Sequence, residues 1–186
     1  MSDDDGSGCP PLVARCEGPH TVGTMSHTAG QRPHPNQPAA LGAGALAMVA
    51  GCLFSHDGAQ VLMVRKTHPA WMAGKLNGIG GQIEAGESPV EAMRREFAEE
   101  AGLLVPAWEH FLFLDFAAGA VWFFRAFADR SVLAAARTET DESIEAWDVA
   151  DLTAGATATI ANLAWILPLA AHRHDTYAPI WAHELG

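Results

Sequence analysis

The chain has 186 residues, 49% of them apolar, and a formal charge of −11. That is enough for one domain with a real core, and too acidic to track a nucleic-acid backbone, which needs a basic footprint. The same charge repels a phosphate-bearing small molecule unless metal ions and a few local cations intervene.

Three cysteines (Cys9, Cys16, Cys52) without a C-x-x-C spacing give neither a disulfide framework nor a zinc site, and fit a reducing, cytoplasmic setting. Residues 1–40 are rich in Gly, Pro, His, Ser and Asp, lack periodicity and read as a disordered tail, with Met25 as an alternative start. His20, His27 and His34 fit no metal-ligand spacing. The folded domain is expected over residues 41–173, followed by a tail over 174–186. The apolar run Ala39–Phe54 reads as the first strand. Its tetrapeptide Val49-Ala50-Gly51-Cys52 resembles a bacterial lipoprotein processing site. The run lies far from Met1, has no compact basic segment ahead of it, and is too short and Gly-rich to span a bilayer. No membrane partner is expected.

A turn at His56-Asp57-Gly58 leads to a second strand, Val61–Lys66. Arg65, Lys66, His68 and Lys75 then make a local basic patch. Lys66 and Lys75 read either as phosphate contacts or as solvated surface, and Trp71 either as a base-stacking lid or as a loop anchor.

Leu76–Ile83 runs into a stretch with stacked signals. Glycines at Gly80, Gly81 and Gly86 mark a tight loop. Ser88-Pro89-Val90-Glu91 combines an N-cap, a proline suited to the first helical position and a capping-box glutamate, and Gly102 is the stop. Within that helix Val90, Met93, Phe97 and Ala101 form a core-facing stripe. Glu96, Glu99 and Glu100 share a neighbouring face, where like charges cost about 0.2–0.5 kcal/mol per pair. A divalent cation with hard oxygen ligands reverses that sign. Arg95 can reach back to Glu87 and fix the loop against the helix.

Gly81, Glu87, Arg95, Glu96, Phe97, Glu99, Glu100, Gly102 and Leu103 resemble the Nudix box, G-x5-E-x7-R-E-U-x-E-E-x-G-U with U apolar, at every constrained position. The resemblance implies an α/β class Nudix fold, an α/β/α sandwich around a mixed β-sheet. It also implies hydrolysis of a nucleoside diphosphate-linked compound with Mg²⁺ or Mn²⁺. Metal ligation would fall to Gly80 (through its carbonyl), Glu96, Glu99, Glu100 and Glu142, with Glu87 and Arg95 holding the scaffold. Asn77-Gly78-Ile79-Gly80-Gly81 resembles the N-G-x-G-G segment of the oxidised-purine nucleoside triphosphatases, the MutT-like branch. This makes Asn77 a base-reading candidate; the other reading is an asparagine satisfying its own turn.

Trp108–Phe116 and Ala120–Ala128 read as an apolar hairpin around Ala118-Gly119, with Val121-Trp122-Phe123-Phe124 central, buried and on one face lining a cleft. The acidic loop Thr138–Glu142 precedes a last strand, Ser143–Val149. Glu142 is the first candidate there for an added metal contact and Glu139 the second. Thr159–His172 reads as a closing helix that Pro168 kinks or ends. Asn162 and Leu163 fall where the oxidised-purine enzymes carry two acidic base-reading residues, a departure that leaves Asn162 as a substrate-contact candidate. No Walker loop or nucleophilic-serine motif competes.

The expected activity is that of a nucleoside triphosphate pyrophosphohydrolase. ADP-ribose, nucleotide sugars, dinucleoside polyphosphates and non-catalytic nucleotide sensing are the alternatives. The expected partner is a nucleotide, bound by a monomer or homodimer.

Overall fold

Long apolar strands alternate with short polar turns through most of this chain, and the result is one sheet with helices on both faces. The computed structural model describes residues 44–172 and 179–183. In chain order the elements are β1 (Leu46–Ser55), β2 (Gln60–Arg65), β3 (Leu76–Asn77), α1 (Pro89–Ala101), β4 (Glu109–Phe116), β5 (Gly119–Ala128), α2 (Arg130–Ala134), β6 (Ser143–Asp148), α3 (Val149–Thr153), α4 (Leu163–Ala171) and β7 (Ile180–His183). The sheet order is β3-β2-β1-β5-β4-β7, with β6 paired to β2. β1/β5 and β4/β7 are parallel and the other pairs antiparallel, so the sheet is mixed as expected.

Period-two alternation in the central strands feeds two cores. On one face Leu53 of β1 and Trp122 and Phe124 of β5 pack with Met93, Phe97 and Ala101 of α1 and Leu133 of α2. On the other, Cys52, Phe54 and Phe123 pack with Leu152 of α3 and Leu163, Ile166 and Leu167 of α4. Burial pushes the Cys52 thiol up to about 12, so it is an inert core residue in the middle of β1. Among the described residues no helix is long and apolar enough to cross a membrane.

β1 and β2 pair at Phe54↔Val61 and then separate. The gap is filled by the chain from Leu76 to Ile83. β3 pairs with the far end of β2 (Val64↔Asn77, Arg65↔Leu76), and Ile79 and Gln82 bridge to Gly51 and Met48 of β1. The glycine loop is thereby stitched to β1: the Val49, Gly51 and Ile83 amides donate to the Gly81, Ile79 and Ala47 carbonyls at 2.8, 2.7 and 2.8 Å.

Three expectations change. The closing helix starts at Leu163, because Thr159 bridges to Leu76 and the Ile160 amide donates to the Leu76 carbonyl at 3.0 Å. Pro168 does not end that helix, which runs on to Ala171. Arg125, buried in the middle of β5, caps it: Nη1 donates to the carbonyls of Ala170 (3.2 Å) and His172 (2.5 Å). Nε and Nη2 of the same guanidinium bind Glu109 at 3.1 and 2.9 Å. The segment 174–186 is not only a tail, since β7 lies within it. There Trp181 packs on Phe113 at 4.5 Å between ring centroids and covers the edge of β4.

Phe97 is fully buried and meets Trp108 edge-on at 4.9 Å. Phe97→Ala is expected to lower unfolding free energy by about 3–5 kcal/mol, read by chemical denaturation. His110 lies beside Phe124, and burial pushes its imidazole from 6.5 down to about 4, against the bond from Nε2 to the Leu112 carbonyl. Between those values the unfolded chain binds more protons than the folded one. Stability is therefore full above pH 6.5 and falls as the pH drops toward 4. Thermal midpoints across that window are expected to fall less steeply in His110→Gln than in the wild type.

Candidate active site

The start of α1 is built as its sequence indicates. Pro89 takes the first position, and the Glu91 carboxylate accepts from the Ser88 amide at 2.8 Å and the Ser88 hydroxyl at 2.6 Å. Gly102 ends the helix with its amide on the Ala98 carbonyl at 3.1 Å. With Met93, Phe97 and Ala101 locked in the core, the face bearing Glu96, Glu99 and Glu100 has only one place to point, toward the glycine loop.

That loop leaves no room for a side chain at Gly80 or Gly81. Gly80 has φ +151°, and a Cβ there would lie 2.3 Å from the Val49 carbonyl oxygen. A Cβ on Gly81 would lie 2.5 Å from the Glu96 carboxylate. The ladder to β1 uses the carbonyls of Ile79 and Gly81 and leaves that of Gly80 out.

Arg95 ties loop to helix. Its Nε and Nη2 grip Glu87 at 2.7 and 2.9 Å, Nη2 also reaches the Gln82 carbonyl at 3.0 Å, and Nη1 reaches Glu96 and Glu99 at 2.8 and 3.2 Å. The Arg95 bonds hold the Glu87 carboxyl down at about 2, and Glu87 also accepts from the Glu84 amide at 3.0 Å. The Arg95–Glu87 pair expected from the sequence is therefore present.

Glu100 accepts from the Gly80 amide at 3.3 Å. Burial lifts its carboxyl to about 7; Lys66 and the Gly80 bond pull the other way, and repulsion from Glu96 and Glu142 adds to the lift. Glu142, 3% exposed, pairs with the Lys66 ammonium and accepts from the Thr67 amide at 2.9 Å. Burial alone would raise it, but those two bonds hold it below the usual carboxylate range.

Glu96 and Glu142 thus both come close enough to act on Glu100, while the Glu99 side chain is 59% exposed. Among the described residues no three side chains form a ready metal cage, and Arg95 and Lys66 are bonded to Glu96, Glu99 and Glu142. The donor set of carboxylates and one carbonyl oxygen, without thiol or imidazole, fits a hard divalent cation. Lys66 marks where positive charge is wanted.

On the opposite face a pocket of about 330 Å³ opens between β1, β4, β5 and the segment before α4. Asn77, Asn162, Trp71 and Gly80 line it; Lys66 and Lys75 do not. Lys66 is taken by Glu142, and Lys75 is a half-buried loop residue. Asn77 Oδ1 accepts from the Gly78 amide at 2.8 Å, so the turn-satisfying reading of this residue holds alongside its place in the pocket wall. Leu163 is buried in the core instead. The apolar walls Met72, Leu114, Phe116, Val121 and Phe123 were not singled out individually, although strand alternation carries the signal: Leu114 and Phe116 share one side of β4, Val121 and Phe123 one side of β5. Gly80 belongs to both places, lining the pocket while its amide holds Glu100.

The model of the NUDIX domain matches residues 45–179. The chain belongs to the Nudix family. It is a Nudix hydrolase, a pyrophosphohydrolase by family. Solved structures share the fold. A MutT structure, of Aliivibrio salmonicida or Vibrio cholerae, aligns with TM-score 0.55 and 24% identity over 69% of this chain and 98% of that one. MutT of Bacillus halodurans aligns with TM-score 0.55 and 21% identity over 74% and 89%. The NUDIX domain of Shewanella oneidensis NrtR, complexed with ADP ribose, aligns with TM-score 0.57 and 23% identity over 72% and 90%. No curated relative matches the sequence.

Gly80→Ala is expected to destabilise this Nudix domain, because the added methyl meets the β1 backbone rather than a movable side chain. A thermal midpoint equal to the wild type would contradict the close approach.

Proposed function

We propose that this Nudix hydrolase is a Mg²⁺- or Mn²⁺-dependent nucleoside triphosphate pyrophosphohydrolase acting on purine nucleotides, among which oxidised purines are candidates. The observation that carries this reading is the juxtaposition at Gly80: a carboxylate face and a largely apolar, amide-lined pocket meet across one residue. A nucleotide has the matching polarity, with a planar base at one end and a phosphate chain at the other.

Glu96, Glu99, Glu100 and the Gly80 carbonyl, with Glu142, would hold the cation. When bound, it neutralises phosphate charge and polarises the phosphorus under attack. The chain's own residues do the rest. The pocket walls exclude water from the base. Asn77 and Asn162 offer amide donors and acceptors to its edge, and Trp71, 63% exposed at the rim, can stack on its face. One acid of this face takes a proton from the attacking water. The new bond joins that water oxygen to phosphorus, a phosphoanhydride P–O bond breaks, and the products are a nucleoside monophosphate and pyrophosphate. Arg95 and Glu87 keep the loop in register with the helix.

ADP-ribose is the competing substrate, supported by a shared fold with the NrtR domain, whose complex holds that ligand. A panel of nucleoside triphosphates, ADP-ribose, nucleotide sugars and dinucleoside polyphosphates, assayed with Mg²⁺, separates the readings. Pyrophosphate release from purine triphosphates is expected; turnover of ADP-ribose alone would overturn the proposal. Glu99→Gln and Glu100→Gln are each expected to lower kcat by about a hundredfold or more while the thermal midpoint stays near that of the wild type. Chelation of divalent cations is expected to abolish turnover. Asn77→Ala is expected to raise KM for purine triphosphates and leave pyrimidines little changed.

A further inference from the structure

We propose that Lys66 is a tethered stand-in cation: its ammonium holds Glu142 in the cation-free chain, yields that carboxylate to an arriving divalent ion, and passes to the substrate's phosphate. The proposal rests on Glu142 and the box glutamates being the cation's ligands.

Glu142 is 3% exposed, and a carboxylate so buried needs a positive partner. Its two oxygens are held differently. One takes the Thr67 amide at 2.9 Å, with His68 Nδ1 3.7 Å from the same oxygen. The other takes the Lys66 ammonium. Lys66 also lies near enough to Glu100 of α1 to favour its charged form.

The two cations of this face differ in how easily they can leave. Arg95 is fixed by bonds to Glu87, Glu96, Glu99 and the Gln82 carbonyl, two of them in a bidentate grip. Lys66 has its main chain pinned, with its amide on the Lys75 carbonyl and its carbonyl on the Gly74 amide at 3.0 and 2.8 Å. Its ammonium is a point charge on a flexible four-carbon stem, with Glu142 as its carboxylate partner among the described residues. Its side chain is 14% exposed, at the edge of the cluster. When a divalent ion sits among Glu142 and Glu100, repulsion moves that ammonium outward, and the incoming phosphate is the anion it meets. Cation and nucleotide then favour each other's binding, although the surrounding surface is acidic.

The test is Mn²⁺ binding to the full chain without nucleotide, read from the electron paramagnetic resonance signal of free Mn²⁺. Lys66→Met is expected to bind Mn²⁺ about tenfold more tightly than the wild type, the scale of one removed unit charge near a protein surface. Lys66→Arg, which keeps the charge, is expected to stay within about twofold of the wild type. Lys66→Gln keeps a donor for Glu142 without the charge, and is expected to tighten Mn²⁺ binding as well should Lys66→Met fail to fold. In the assay with nucleotide, Lys66→Met is expected to raise KM and Lys66→Arg to restore it. Mn²⁺ binding no tighter in either neutral variant, with Glu100→Gln still weakening it, overturns the stand-in role and leaves the metal reading intact. Mn²⁺ binding by none of the proteins, wild type included, overturns both.

Discussion

The site depends on a backbone contact without side chains. Gly80 lies against the β1 main chain so closely that a single methyl group would overlap the Val49 carbonyl, and Gly81 lies as closely under Glu96. Everything else is arranged across that contact. β1 and β2 diverge after one pairing and admit the loop, the loop completes the ladder on β1, and α1 descends onto the loop with its carboxylates foremost. Because Gly80 is thin, the two faces of the sheet are brought within one residue of each other, and a pocket on one face can share a wall with an acidic cluster on the other.

Crowded carboxylates would undo this arrangement were they left alone. The chain divides them between two cations. Arg95 takes Glu87, Glu96 and Glu99, and the Glu87 pair also closes the loop over Glu84. Lys66 takes Glu142 and favours the charged form of Glu100, whose carboxyl is nonetheless lifted by burial and by its acidic neighbours. A rigid, multiply bonded arginine suits a part that must stay put. A single ammonium on a flexible stem suits a part that must let go. The residue types match those two duties.

Much of this was legible in the sequence, for identifiable reasons. Ser88, Pro89, Glu91 and Gly102 act within one helix, so the bounds and buried stripe of α1 follow from local rules. The Arg95–Glu87 pair spans eight residues and was equally readable. What escaped was non-local. Arg125 sits in an apolar strand and makes sense only once α4 presents its last carbonyls to it. β7 follows no strong local pattern and exists because the edge of β4 offers Phe113 to Trp181. The pairing of Lys66 with Glu142 joins residues 76 apart in sequence, a separation that no local pattern bridges.

The overall charge gives these details their consequence. At −11 the surface discourages any free polyphosphate from approaching. The pocket cannot offset this, since its lining is apolar apart from two neutral amides and backbone groups. Under the proposed reading, affinity for the phosphate end arises only where local positive charge exists, and Arg95 is already fully engaged by carboxylates. The charge available to a nucleotide then includes whatever cation it carries and the ammonium that this cation displaces. A nucleotide stripped of its divalent ion would meet Lys66 still locked on Glu142 and a face of negative charge. Selection for the metal-bound form of the substrate therefore follows from where two basic side chains are anchored, without any dedicated recognition element for the metal complex.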